Sequence, residues 1–196
     1  MVNIVLASGS KNRQKLLRAL GISFKMVVSN FAEEKIKEGN FSLRARKIAM
    51  AKAKKVAEKE KGLIIACDTY TVLGGKLMEK PKDLSQAKNM LKQLSGKMAV
   101  CYTGFCFFNS VKNECVAKTV TSKVFFRKIY KEELDDYVKK FPVMSWAAAY
   151  APSNLYGLGL IKKVIGSLTG LTHGLSIELL IPLLAKQGFK PKPLGI

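Results

Sequence analysis

The sequence predicts an α/β fold, a twisted mixed β-sheet flanked by helices, and three observations predict it. Short apolar runs alternate with helical stretches over residues 3–67. Two longer β-patterned runs, residues 100–108 and 114–127, are joined around the turn-like residues 110–113 and read as an antiparallel pair. The chain of 196 residues is 48% hydrophobic, enough to bury a core without disulfides or metal staples. No Pro/Gly-rich linker, repeat or low-complexity stretch divides it, so one domain over residues 1–196 is expected, possible lobes around a cleft included.

The first element is a strand over residues 3–7, built on Ile4, Val5 and Leu6. It runs into Ser8-Gly9-Ser10 and then a basic helix over residues 11–20. A strand that ends in small hydroxyl residues and opens a helix points free backbone N–H groups and a positive dipole end into the turn. Lys11, Arg13 and Lys15 add charge there, which makes phosphate the natural guest. The plainer reading is that Ser10 only N-caps a surface helix. A second strand is expected at residues 24–28 and a third at 63–67, with a helix over 42–61 between them. That helix places Leu43, Ala45, Ile48, Ala49, Ala53 and Val56 at helical spacing. Residues 71–78 read as a hairpin, with Gly74-Gly75 supplying the positive φ angles of a tight turn. Helices follow at 84–94 and 131–140, a strand at 158–165, and a closing helix over 175–187, interrupted or bent at Pro182.

The formal net charge of +20 favours polyanionic partners such as nucleotides, nucleic acid or an acidic membrane surface, without choosing among them. The lysines are spread along the chain, densest over residues 35–61, as a plain solvated surface would also require. Cys67, Cys101, Cys106 and Cys115 show no C-x-x-C spacing and His173 is the only histidine, which argues against a zinc site and for reduced thiols. No apolar stretch reaches the roughly 18 residues of a membrane span and no leader pattern opens the sequence, so a soluble, cytoplasmic protein is expected. The lysine-rich helix lacks the large apolar face of a membrane-surface helix. Zinc-finger spacing, an RRM aromatic signature and a recognition helix are missing, leaving charge as the only support for nucleic-acid binding.

With only fourteen carboxylates in the chain, Asp68 stands out after the apolar run Leu63-Ile64-Ile65-Ala66-Cys67. Where a buried strand ends, open α/β sheets place ligands, and a metal ligand or general base belongs there; an Asp closing the strand in an Asx-turn is an equally good account. Glu33 and Glu34 follow the second strand in an irregular stretch that solvent-facing residues would equally fill. Lys52, among the small neighbours Ala49, Ala51 and Ala53, has room to reach inward, although most lysines of such a helix face solvent. Lys80 precedes Pro81, which would hold it rigidly.

These segments together resemble the Maf family of nucleotide pyrophosphatases. Leu6-Ala7-Ser8-Gly9-Ser10-Lys11-Asn12-Arg13-Gln14-Lys15-Leu16-Leu17 is similar to the family's opening L-A-S-x-S-P-R-R-x-x-L-L. In family order follow Phe31-Ala32-Glu33, the helix from Ala49 through Lys52-Ala53, Ala66-Cys67-Asp68-Thr69, Lys80-Pro81-Lys82-Asp83, Leu94-Ser95-Gly96, Tyr102-Thr103-Gly104, Ala148-Ala149-Tyr150, Lys163-Val164-Ile165-Gly166 and Gly174-Leu175. The resemblance covers nearly the full length, and so many weak motifs in register are a specific signal.

It implies a Maf/ITPase-like fold and hydrolysis of a nucleoside triphosphate between the α and β phosphates, to the monophosphate and pyrophosphate, with Mg²⁺ or Mn²⁺. The nucleotides would be modified or non-standard ones removed by a house-cleaning enzyme, and the resemblance implies a homodimer. By motif, Asp68 would be the general base and a metal contact, and Glu33 a metal ligand or water-positioning group. Lys52 and Lys80 would neutralise triphosphate charge. Ser8, Ser10 and Arg13 would hold phosphate oxygens, with Asn12, Thr69 and Ser95 completing the substrate-binding set.

The departures from the pattern fall in the base pocket. Lys11-Asn12-Arg13 stands for P-R-R, Ser145-Trp146 for the usual D-K, and Ala151-Pro152-Ser153-Asn154 for G-I-Q-G. Thr69 matches the branch acting on dTTP and UTP, while Tyr102-Thr103-Gly104 and Val124-Phe125-Phe126-Arg127 look more like the branch acting on 7-methyl-GTP. A non-catalytic nucleotide- or nucleic-acid-binding protein is the alternative. Lone His173, next to Gly174, is expected in a structural loop.

Overall fold

The computed structural model describes residues 3–153 and 155–189, so Val2 and Asn154 lie outside the described residues. Strand β1 (Ile4–Leu6) leads through the Ser8-Gly9-Ser10 turn into helix α1 (Lys11–Ala19) and the short strand β2 (Lys25–Met26). A 3-10 turn at Glu33–Lys35 precedes helix α2 (Phe41–Ala57), which feeds β3 (Leu63–Leu73) and its hairpin partner β4 (Lys76–Met78). After helix α3 (Leu84–Leu94) come the long strands β5 (Met98–Asn109) and β6 (Glu114–Phe126) and helix α4 (Lys131–Lys140). Helix α5 (Leu155–Gly159), strand β7 (Ile161–Gly166), helix α6 (Leu168–His173) and helix α7 (Ile177–Lys186) complete the described chain.

The strands form one mixed sheet, ordered β2-β1-β3-β5-β6-β7, with β4 paired to β3. The β2-β1 and β1-β3 pairs are parallel, the crossovers carrying helices, and all other pairs are antiparallel. Helix α2 covers one face, where Ala49, Ala53 and Val56 pack on Val5, Ile64, Ala66 and Cys106. Leu17 of α1 and Leu180 and Leu184 of α7 cover the other face over Leu6, Ile65, Cys67 and Phe105. Residues of α3, α4 and the 143–150 segment bury the far half of the sheet around Cys101, Val124 and Phe126. No helix among the described residues is long and apolar enough to cross a membrane.

Three expectations need correction. Asp68 neither ends a strand nor starts a turn: β3 runs five residues further, to Leu73, because β5 pairs with it from Leu63 to Val72. The strand expected from residue 158 begins at Ile161, residues 158 and 159 forming the end of α5 instead. The last helix starts at Ile177 and runs through Pro182 without interruption.

The sheet is open where it matters most. On one side β3 pairs with β1 only at Leu63, Ile64 and Ile65, and with β4 only from Thr71 to Leu73. Ala7 N–H still donates to the Ile65 carbonyl at 2.8 Å, and then the chain turns away into Ser8. The edge of β3 over residues 66–70 therefore has no strand partner there among the described residues.

Candidate active site at the open edge of β3

Alternation along β3 sends successive side chains to opposite faces. Ile64, Ala66, Asp68 and Tyr70 share the α2 face, while Cys67, Thr69 and Thr71 share the other. On α2, the buried residues Ala45, Ile48, Ala49, Ala53 and Val56 define a stripe, and Lys52 falls on it by the same spacing. Lys52 therefore points at the sheet. Its side chain is 12% exposed, and its Nζ lies 2.9 Å from Asp68 Oδ1 and 2.5 Å from Glu33 Oε1.

The helix approaches closely enough because β5 carries Gly104 opposite Asp68. A Cβ at that position would collide with the Ala45 carbonyl of α2. The Tyr70 hydroxyl also donates to the Phe41 carbonyl, fixing the N-terminal end of α2 on the same strand.

Asp68 is buried, and its second oxygen, Oδ2, has no hydrogen-bond partner. Burial pushes its carboxyl above the usual carboxylate range, Lys52 pulls it back, and the like charge of Glu33 pushes it up again. A buried carboxylate with one oxygen anchored and one unpaired is arranged to accept a proton or a cation.

On the other side of β3, a cavity of about 270 Å³ is lined by Ser10, Asn12, Arg13, Thr69, Lys80 and Tyr150 among others. Ser10 N-caps α1, accepting from Arg13 N–H at 3.5 Å, so the plain capping role is present alongside any anion role. The Arg13 guanidinium crosses the cleft floor: Nη1 donates to Ser8 Oγ at 2.8 Å, Nη2 to Thr69 Oγ1 at 3.3 Å and Nε to the Gly174 carbonyl at 2.9 Å. Asn12 Nδ2 donates to Ser153 Oγ at 3.1 Å across the cleft mouth.

The structure thus gathers Ser10, Asn12, Arg13, Thr69 and Lys80 around the cavity and Glu33, Lys52 and Asp68 on the opposite face of β3. Ser8, which accepts from both Ser10 N–H and Arg13, stands at the turn beside the open edge. Ser95 is not brought to the cavity. Its hydroxyl accepts from Ile129 N–H at 2.8 Å and ties the end of α3 to the segment after β6. His173 closes α6 and lines the cavity instead of sitting in a loop, with burial lowering its pKa. Thr103, which the sequence marks only as part of the Tyr102-Thr103-Gly104 motif, is buried behind Thr69. Trp146 and Tyr150 also line the wall; their position comes from the packing of the 143–150 segment on α3 and α4, which no local pattern announces.

Fold and site define an α/β protein with a lysine-bound buried carboxylate on one face of a strand and a cationic, hydroxyl-rich cavity on the other. The chain belongs to the Maf family: the family model described as Maf-like protein matches residues 3–187. A Clostridium novyi protein named dTTP/UTP pyrophosphatase is 34% identical over 168 residues, covering 84% of this chain and 87% of that one. A Clostridium kluyveri protein of the same name is 35% identical over 191 residues, covering 95% and 98%. One from Thermotoga maritima is 36% identical, covering 84% and 80%. Among solved structures, the Staphylococcus aureus Ham1 protein aligns with TM-score 0.52 at 13% identity over 94% of this chain and 99% of that one. A HAM1 protein from Coxiella burnetii gives 0.50 at 18% identity over 95% and 100%. These two likenesses show the fold.

Proposed function

We propose that this protein is a nucleoside triphosphate pyrophosphatase that hydrolyses the α–β phosphoanhydride of a dTTP- or UTP-like nucleotide. The observation that carries the reading is Asp68: buried, held through Oδ1 by Lys52, with Oδ2 unpartnered and its pKa raised by burial. Membership in a family whose relatives are named dTTP/UTP pyrophosphatase supports the substrate class.

Asp68 takes the proton of the attacking water as the water oxygen bonds to phosphorus, and the anhydride oxygen leaves with the electron pair of the broken bond. Lys52 keeps Asp68 in place, and Lys80 neutralises charge that accumulates on the leaving pyrophosphate. Ser8, Ser10 and the N-terminus of α1 hold phosphate oxygens, while Asn12, Arg13 and Thr69 line the base and sugar side.

Among the described residues no group of three or more His, Cys, Asp or Glu is placed to hold an ion. The two carboxylates present still suit a hard divalent cation, because Mg²⁺ and Mn²⁺ bind through one or two carboxylates plus substrate phosphates. The unpartnered Asp68 Oδ2 and the Glu33 carboxylate, 48% exposed, would hold it. When bound, the ion supplies further charge neutralisation on the triphosphate. In this reading the enzyme works in the cytoplasm, which the free cysteines support, and as a homodimer, for which family resemblance is the support.

The test is release of pyrophosphate against orthophosphate from dTTP, UTP, CTP, 7-methyl-GTP and ITP with Mg²⁺ or Mn²⁺, with and without chelator, beside Asp68→Ala. Pyrophosphate and monophosphate from the pyrimidine substrates, lost with chelator and in the variant, are expected. No cleavage of any triphosphate, or equal cleavage by Asp68→Ala, defeats the proposal.

A further inference from the structure

The hydroxyl groups behind the cavity form a one-way chain. Thr103 Oγ1 lies 2.9 Å from the Gly170 carbonyl, which can only accept, so Thr103 donates there. Its contact with Thr69 Oγ1 at 3.2 Å must then run the other way, with Thr69 donating to Thr103. A further acceptor within reach of the Thr69 proton is the Gly174 carbonyl at 3.5 Å, also inside the protein. Arg13 Nη2 donates to Thr69 and occupies one of its lone pairs. A hydroxyl has one proton and two lone pairs. What Thr69 has left to offer the cavity it lines is a single acceptor.

We propose that Thr103 is a positioning residue for base selection, orienting Thr69 so that the cavity accepts a ring N–H. Thr103 is 1% exposed and does not itself line the cavity, so it acts through Thr69. Uracil and thymine present N3–H as a donor; cytosine presents a bare N3 lone pair, which would face the Thr69 lone pair unpaired. A site built to hydrogen-bond a substrate donor discriminates strongly against the analogue lacking it, because the buried acceptor is stranded. The chain of hydroxyls therefore favours UTP over CTP. This inference rests on the pyrophosphatase reading and adds to it the residue that sets the polarity of the contact.

The experiment compares kcat/KM for UTP and CTP in the parent, Thr103→Val and Thr103→Ser, with thermal melts of all three. Valine removes the nearer acceptor for the Thr69 proton, which then divides between the more distant Gly174 carbonyl and the cavity, where it meets the cytosine lone pair. The UTP:CTP ratio is expected to fall by about tenfold or more in Thr103→Val and to stay near the parent value in Thr103→Ser. A structural role alone would lower both substrates by the same factor, and an unchanged ratio overturns the proposal. An arm independent of the variants uses the parent with N3-methyl-UTP, whose donor is blocked; cleavage as efficient as that of UTP overturns it as well. Failure to release pyrophosphate from any triphosphate defeats the activity itself, whereas turnover of UTP and CTP at equal efficiency defeats only the polarity argument.

Discussion

Asp68 and Gly104 face each other across the β3-β5 ladder, and the Ala45 carbonyl fills the volume a side chain at 104 would need. Glycine inside a strand ordinarily costs stability, about 0.5–1 kcal/mol against alanine. Here it lets the α2 backbone at Ala45 come against the sheet, on the same helix that carries Lys52 to Asp68. Gly104→Ala must push the α2 backbone outward, since the obstacle is a main-chain carbonyl and not a movable side-chain tip. Overpacking of this kind costs about 1–3 kcal/mol. A fall in Tm of roughly 2–12 °C follows for a chain of this size, together with loss of most pyrophosphate release. A variant that melts and turns over like the parent would show that the helix-to-sheet distance does not position the site.

The acid side of the pH profile should report Asp68. Its carboxyl must be ionised to take a proton, and burial raises its pKa, so kcat/KM falls with decreasing pH at a value above the roughly 3.9 of a free aspartate. Lys52 lowers that pKa and Glu33 raises it, which gives two variants opposite signs. Lys52→Met removes the stabilising cation, so the carboxylate protonates at higher pH and the acid limb moves up. Glu33→Gln removes a like charge, so the limb moves down. Rate–pH curves for the three proteins decide the matter through the position of the limb, whatever happens to its height. Limbs that coincide would assign the base to another group.

Much of this site was legible because helix periodicity is local. The spacing of Ala45, Ile48, Ala49, Ala53 and Val56 identifies the buried stripe of α2, and Lys52 lies on it. The strand-turn-helix form of the Ser8-Gly9-Ser10 segment, with Ser10 capping α1, was likewise readable from the local sequence. The environment of Asp68 was not. Its apolar run stops at Cys67, and only pairing with a strand some forty residues later carries β3 past it. Nothing local to Thr103 shows that α6 will bring the Gly170 carbonyl within 2.9 Å and fix the direction of its hydrogen bond. Leu158 and Gly159 end helix α5 although they fall in the expected strand, because leucine and glycine suit either state and β7 begins just beyond them. Ser95 shows the limit of carrying roles over by motif: its hydroxyl is engaged by Ile129, at the far end of α3 from Lys80.

Arg13 separates charge from geometry in the cavity. Its Nε, Nη1 and Nη2 bridge the Gly174 carbonyl, Ser8 and Thr69, joining α1, the turn after β1, strand β3 and the loop after α6. Arg13→Lys keeps the positive charge that attracts a triphosphate but cannot span three acceptors with a single ammonium. Two lost hydrogen bonds at about 0.5–1.5 kcal/mol each predict a destabilisation of roughly 1–3 kcal/mol. The kinetic consequence should fall mainly on the base: Thr69 loses one donor and the discrimination between UTP and CTP narrows. If Arg13 served only to attract phosphate, lysine would preserve kcat/KM and its salt dependence, and parallel measurements of stability and of the UTP:CTP ratio would both match the parent. A lower Tm with a reduced ratio identifies it as the strut that holds Thr69 in place.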